Sequence, residues 1–391
     1  MREFVSKKAS ALKPSGIRKF FDIVARSKDV VSLGIGEPDF VTPWEIRNAA
    51  YQSLQKGQTA YTGNRGLPAL TEEISRFLFE RYDVRFSSEE IVVTIGASEA
   101  IDATLRATVD EGDEVLIPDP SYVSYGPCVQ LCGGKAVPVP CNADDGFILT
   151  PERLEKAITS RSKILIFPYP NNPTGGIMTK AQAKALVPII QKYDLLVLAD
   201  EIYAELTYGS APFSIASLPE LDGRVVLVSG FSKAFAMTGW RVGYVAAPEN
   251  ILNAILKIHQ YTIICAPGFS QHAALAALRE GREDDFAVVA EMREKYDRRR
   301  QYLYHSFCTM GLPVFEPKGA FYLFPSVLPT GLTGEEFAER LLKEERVAVV
   351  PGGAFGESGL YHIRCSYAAS MANLIEATER IGRFVERLKK G

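Results

Sequence analysis

Lys233 stands among small residues in the run S-G-F-S-K-A-F-A-M-T-G-W-R (229–241), and Arg241 follows eight positions later. A lysine amine with little bulk around it can bond a carbonyl carbon, and a nearby guanidinium can hold a phosphate or carboxylate. Other reactive groups recur in comparable settings. Asp200 and Tyr203 lie in D-E-I-Y, Asn171 and Asn172 in P-N-N-P-T-G, Tyr122 in D-P-S-Y, and Ser98 in G-A-S-E. An amine, a guanidinium, a carboxylate, a phenol, an amide, an aromatic face and a hydroxyl among small residues form a set that can bind a phosphorylated ring and act on its carbonyl carbon.

These groups need elements that bring them together. Each follows a short apolar run: Ile91–Ile95, Glu114–Ile117, Lys163–Phe167, Leu195–Ala199 and Val225–Val228. Helical patterns separate the runs, which predicts a mostly parallel sheet covered on both faces. Ligands of such sheets collect at the carboxyl ends of the strands. There, Gly96-Ala97-Ser98-Glu99 opens a helix and forms an anion cup. Asp200 ends an apolar strand, where a carboxylate is costly without a cation or donor. Either Asn171 or Asn172 can present an amide. Pyridoxal 5′-phosphate uses every one of these groups: an amine for its aldehyde, a carboxylate for its ring nitrogen, donors for its phenolic oxygen, an aromatic face, and a cup with an arginine for its phosphate.

The ordered motifs Y-T-G-N-R-G-L-P (61–68), N-N-P-T-G (171–175), D-E-I-Y (200–203) and S-K-A-F-A-M-T-G-W-R (232–241) resemble the class I/II aminotransferases of the aspartate aminotransferase fold, over essentially the whole chain. The resemblance implies an α/β fold: a large domain with a mostly parallel, seven-stranded-type sheet flanked by helices, and a smaller α+β domain. The expected division is 45–285 for the large domain, with 1–44 and 286–391 forming the small one. By the same resemblance, Lys233 is the lysine that bonds the cofactor, Asp200 the partner of its ring nitrogen, and Asn172 and Tyr203 the donors to its phenolic oxygen. Tyr122 is the stacking aromatic, while Ala97, Ser98, Ser232 and Arg241 form the phosphate shell. Relatives often carry serine three residues before the lysine, where this chain has Gly230. Arg364 in H-I-R-C-S-Y matches the arginine that grips the substrate α-carboxylate, Gly36 the glycine along which substrate passes, and Asn172 borders substrate as well. Tyr61 matches a tyrosine that reaches the neighbouring subunit's cofactor, which implies a homodimer with shared active sites. The activity implied is a ping-pong transfer of an L-amino acid's α-amino group to a 2-oxo acid such as 2-oxoglutarate, with aspartate, aromatic amino acids, alanine or a diaminopimelate-like donor all open. The rivals are a carbon–sulfur β-lyase using the same residues and a non-catalytic regulator, the latter disfavoured by the lack of N-terminal length for a DNA-binding domain.

Bulk properties set the limits. The 391 residues are 47% hydrophobic and 23% charged, with a formal net charge of −3, which favours neither nucleic acid nor an anionic membrane. Six cysteines lack disulfide spacing, and Cys128, Cys132 and Cys141 have no histidine nearby to suggest zinc. With no apolar leader at the N-terminus, the expectation is a soluble cytoplasmic protein. Phe20, Phe21 and Tyr122 are aromatics suited to an aromatic or long substrate side chain or to packing. Thr42-Pro43-Trp44-Glu45 predicts a helix start with Thr42 as N-cap, and Phe286, Val289, Met292 and Tyr296 recur at helical spacing. Gly352-Gly-Ala-Phe-Gly356 lacks the register of a dinucleotide loop and, by the resemblance, lies near the substrate.

Overall fold

A computed structural model describes residues 4–12 and 29–390; Phe20 and Phe21 lie outside the described residues. The strands, in chain order, are β1 (Val31–Ser32), β2 (Ile91–Thr94), β3 (Glu114–Asp119), β4 (Lys135–Pro140), β5 (Ser162–Phe167), β6 (Leu196–Asp200), β7 (Val225–Gly230), β8 (Gly243–Ala246), β9 (Tyr322–Leu323), β10 (Val347–Ala348), β11 (Val350–Pro351) and β12 (Ile363–Ser366). Seven of them form one sheet in the order β2-β8-β7-β6-β5-β3-β4. Its pairs are parallel except those of β8, which runs antiparallel to both β2 and β7. The apolar runs read from the sequence sit at its centre. Every residue of β2 and β3 is buried, as are Ile164–Phe167 and Val197–Asp200. Helices cover both faces, so neither face of these strands needs polar residues.

Two strands escape the sequence pattern. β4 carries two prolines (Lys135-Ala-Val-Pro-Val-Pro) and lies at the sheet edge, the one place where a missing N–H costs no ladder bond. β8 is four residues long and begins at Gly243, whose ideal Cβ would stand 2.8 Å from the nitrogen of Ala97. The glycine lets the sheet touch the start of the helix Gly96–Thr108.

The expected N-cap at Thr42 is corrected. The helix runs from Trp44 to Gln55 with Pro43 as its cap, and Thr42 turns elsewhere. Its hydroxyl donates to the carbonyl of Ala236 at 2.6 Å and accepts from the Trp240 indole at 3.0 Å, fastening this segment to the loop that carries Lys233. Near residue 285 the chain breaks between the helices Gly268–Glu283 and Ala287–Thr309. Val289, Met292 and Tyr296 line the buried face of the second helix, as their spacing predicts. Phe286 precedes that helix in a left-handed conformation (φ 57°) and packs edge-on against Phe77.

The remaining strands make two small sheets: β1 pairs with β10 in parallel, and β11-β12-β9 is antiparallel. Residues 31–36 are stitched into this region. Leu33 N–H donates to Ala348 and its carbonyl accepts from Ser366. Gly34 and Gly36 are thereby brought beside Arg364 on β12.

Candidate active site

A cavity of about 830 Å³ opens at the carboxyl ends of the central strands and is bordered by the small sheets. Its lining includes Gly36, Ala97, Ser98, Tyr122, Asn172, Asp200, Tyr203, Ser232, Lys233, Arg241 and Arg364. The structure thus brings together every expected site residue except Tyr61. Tyr61 stands apart: it is 81% exposed and lies outside this lining.

Lys233 leaves the end of β7 and donates from Nζ to the carbonyl of Gly36 at 2.8 Å. Withdrawal from bulk water brings its amine down to about 8; Glu37 opposes the shift, while Arg364 and Arg241 add to it. A lysine near neutrality interconverts readily between ammonium and amine, as proton transfer requires. Asp200 ends β6 fully buried, and desolvation pushes its carboxyl above the usual value. Tyr125 donates to its Oδ2 at 2.7 Å and Ile202 N–H to its Oδ1 at 3.3 Å. The next residue, Glu201, points away from the cavity and accepts from Ser214 Oγ and Ile215 N–H, both at 3.0 Å. Strand alternation thus separates the two acids of D-E-I-Y.

The choice between the paired asparagines is made by packing. Asn171 Nδ2 donates to the carbonyl of Pro120 at 3.0 Å, whereas Asn172 faces the cavity. Asn172 Oδ1 accepts from Arg364 Nη1 at 2.9 Å, which leaves its amide N–H₂ directed elsewhere. Arg364 is 2% exposed and also donates from Nη2 to the carbonyl of Gly34 at 2.7 Å. Its guanidinium carbon lies 4.3 Å from the Tyr322 ring centroid and 4.9 Å from that of Phe355. The Nε of this buried guanidinium has no partner, so part of its donor capacity remains for a ligand.

At the opposite end of the lining, the helix Gly96–Thr108 starts without a side-chain cap. Arg241 reaches this terminus, and an ideal Cβ on Gly96 (φ 72°) would stand 2.6 Å from its Nη2. Only glycine lets the guanidinium approach so closely, and the helix terminus with its cation suits a phosphate. Gly230 has an equally direct explanation. It pairs with Gly243 across β7 and β8, and a Cβ there would lie 2.8 Å from the Gly243 Cα. A serine at 230 would force the strands apart, whereas Ser232 lines the cavity. Phosphate cup, buried carboxylate, amide and phenol donors, half-buried lysine and an arginine with an unpartnered Nε together match the functional groups of pyridoxal phosphate bearing an amino acid.

Sequence reasoning missed Tyr125, Tyr322 and Glu37, and placed the run carrying Phe355 near the substrate without a role for its ring. Tyr125 was detectable as the i+3 neighbour of Tyr122, and their rings stand edge-to-face with centroids 5.5 Å apart. Tyr322 sits on a two-residue strand, where alternation gives no signal. Phe355 comes from the glycine-rich run 352–356, whose carbonyl at Phe355 accepts from Ser121 N–H at 3.1 Å.

Comparison with known proteins agrees with this geometry. Residues 28–381 match the family described as aminotransferase class I and II. The chain is 49% identical over 388 residues to a Bacillus subtilis protein assigned as the aminotransferase YugH, covering 99% of this chain and 100% of that one. It is 44% identical to an aspartate aminotransferase of Pyrococcus abyssi, covering 98% and 99% of the two chains. The crystal structure of an aromatic aminotransferase from Pyrococcus horikoshii superposes with a TM-score of 0.90 at 43% identity, covering 95% of this chain and 99% of that one. The chain belongs to the class I and II aminotransferases and is a pyridoxal-phosphate-dependent amino-acid transaminase.

Proposed function

We propose that the chain moves the α-amino group of an L-amino acid to a 2-oxo acid, 2-oxoglutarate foremost, in two half-reactions at one site. The observation that carries this reading is the placement of Lys233, Asp200 and Arg364 on one cavity that is also lined by Ala97, Ser98 and Arg241 at a helix start. Bound pyridoxal phosphate supplies an electron-accepting ring that stabilises negative charge developing at the substrate Cα. Asp200 holds the proton on the ring nitrogen, and Tyr125 keeps the carboxylate oriented. Asn172, turned by Arg364, and Tyr203 would donate to the phenolic oxygen, and Tyr122 would cover the ring face. Ala97, Ser98, Ser232 and Arg241 hold the phosphate, which fixes the ring during proton transfer. Arg364 grips the substrate α-carboxylate beside Gly36 and Asn172. Lys233 would serve as the base that takes the Cα proton and as the acid that returns it.

Within the described lining, the cations Lys233, Arg241 and Arg364 all have these tasks, and Ile35, Val123 and Tyr322 give the substrate region an apolar character. This favours an aromatic or long apolar donor over aspartate, although several relatives are named aspartate aminotransferases and one an aromatic-amino-acid aminotransferase. A panel of phenylalanine, tyrosine, aspartate, alanine and diaminopimelate against 2-oxoglutarate is expected to give the highest kcat/KM for an aromatic donor. Aspartate in first place would overturn the ranking.

The homodimer is supported by exposed apolar side chains near Tyr61. Tyr261, Ile264 and Phe269 are 87%, 43% and 40% exposed on the segment to which Thr62 and Asn64 are hydrogen-bonded. Covering them with a second subunit removes them from water and brings Tyr61 to that subunit's site. The division into 45–285 against 1–44 with 286–391 is supported by sheet membership, since the seven-stranded sheet draws only on residues 91–246. Among the described residues no helix is long and apolar enough to cross a membrane, and a cytoplasmic location fits six cysteines, none of them in a disulfide.

A further inference from the structure

Tyr322 touches both halves of the site. Its hydroxyl lies 2.8 Å from that of Tyr203, and its ring carries the Arg364 guanidinium 4.3 Å from the centroid. An ideal Cβ on Gly36 would stand 2.7 Å from the same hydroxyl, so glycine at 36 is what leaves that oxygen its place. Burial pushes both phenols upward, so the pair is neutral at ordinary pH and one hydroxyl must donate to the other. The charge on Arg364 decides which. A guanidinium against the ring face draws electron density from the Tyr322 phenol and makes it the stronger donor. Arg364 also acts on Tyr203, but its guanidinium lies over the Tyr322 ring, while Lys233 stands 5.6 Å from the Tyr203 ring centroid.

We propose that Tyr322 is a positioning residue whose hydroxyl donates to the oxygen of Tyr203, so that Tyr203 directs its own proton at the phenolic oxygen of the cofactor. The inference rests on the reading of Tyr203 as a donor to that oxygen. A hydroxyl that already accepts a hydrogen bond is a better donor through its remaining proton. One side chain then links the arginine that binds the substrate carboxylate to the electronics of the cofactor ring. The charged and titratable groups facing the pair are Arg364 on β12, Lys233 after β7 and Tyr122 after β3.

The test is a pH titration of the visible absorbance of the holoenzyme in wild type, Tyr322→Phe, Tyr203→Phe and the double variant. Weakening the Tyr203 donor, or removing it, disfavours the form in which the phenolic oxygen carries negative charge. Tyr322→Phe is therefore expected to raise the midpoint by about 0.1–0.5 pH unit, the cooperative fraction of one charge-assisted hydrogen bond. Tyr203→Phe is expected to raise it at least as far, and the double variant no further than Tyr203→Phe alone. The phenylalanine ring still supports Arg364, so KM for the amino donor should stay within about twofold of wild type. A purely packing role for Tyr322 would leave the midpoint in place. A shift in Tyr203→Phe with none in Tyr322→Phe, or shifts that add in the double variant, would overturn the proposal. No shift in Tyr203→Phe would remove the assigned role of Tyr203, and this inference with it.

Discussion

Lys233→Ala is expected to lose at least about 10⁴-fold in kcat, the upper range for removing a positioned proton-transfer group that also serves as nucleophile. The purified variant should also lack the visible absorbance of cofactor bonded to lysine. The fold should survive, for an electrostatic reason. The Lys233 amine is held at about 8, below the 10.5 of an exposed lysine, chiefly by burial. The folded chain therefore binds this proton less tightly than the unfolded chain. The resulting cost to cofactor-free protein is fully present below about pH 8 and is relieved as the pH rises toward 10.5. At pH 7 the alanine variant without cofactor should melt no lower than wild type without cofactor. Turnover near the wild-type rate would overturn the assignment of Lys233, and a large drop in Tm would show that the lysine supports the fold instead.

Arg364→Lys tests the other end of the reaction. The guanidinium spans Gly34 and Asn172 with two donors and lies against Tyr322 and Phe355. A lysine keeps the charge but cannot reproduce a planar fork that also stacks. Losing the fork on the substrate carboxylate, two charge-assisted hydrogen bonds of about 1.5–3 kcal/mol each, would lower kcat/KM by roughly 10²–10⁴, mostly as a higher KM for the amino donor. The visible absorbance should persist, because the phosphate cup and Lys233 are untouched. A variant with unchanged KM would show that the substrate carboxylate binds elsewhere.

Much of this site was legible because its residues close central strands. Lys233, Asp200 and Asn172 each follow an apolar run whose burial fixes its direction, so position along the chain translates into position at one sheet edge. What the sequence concealed has physical causes. Prolines mask β4 because an edge strand tolerates them, and the cap at Thr42 failed because its hydroxyl found tertiary partners in Ala236 and Trp240. Tyr322 lies on a segment too short for periodicity, and its role comes from Arg364, more than 190 residues from its partner Asn172. The glycine at 230 read as a gap in the phosphate shell. Packing gives its reason, since Gly243 lies where a side chain would go.

Transamination itself is most directly tested by a single turnover without acceptor. Holoenzyme mixed with excess amino donor and no 2-oxo acid should release one equivalent of oxo acid per active site, with no ammonia. The visible absorbance should be lost in step and restored on adding 2-oxoglutarate. Continuous release of pyruvate and ammonia without an acceptor would contradict transamination and identify an eliminating enzyme built on the same residues.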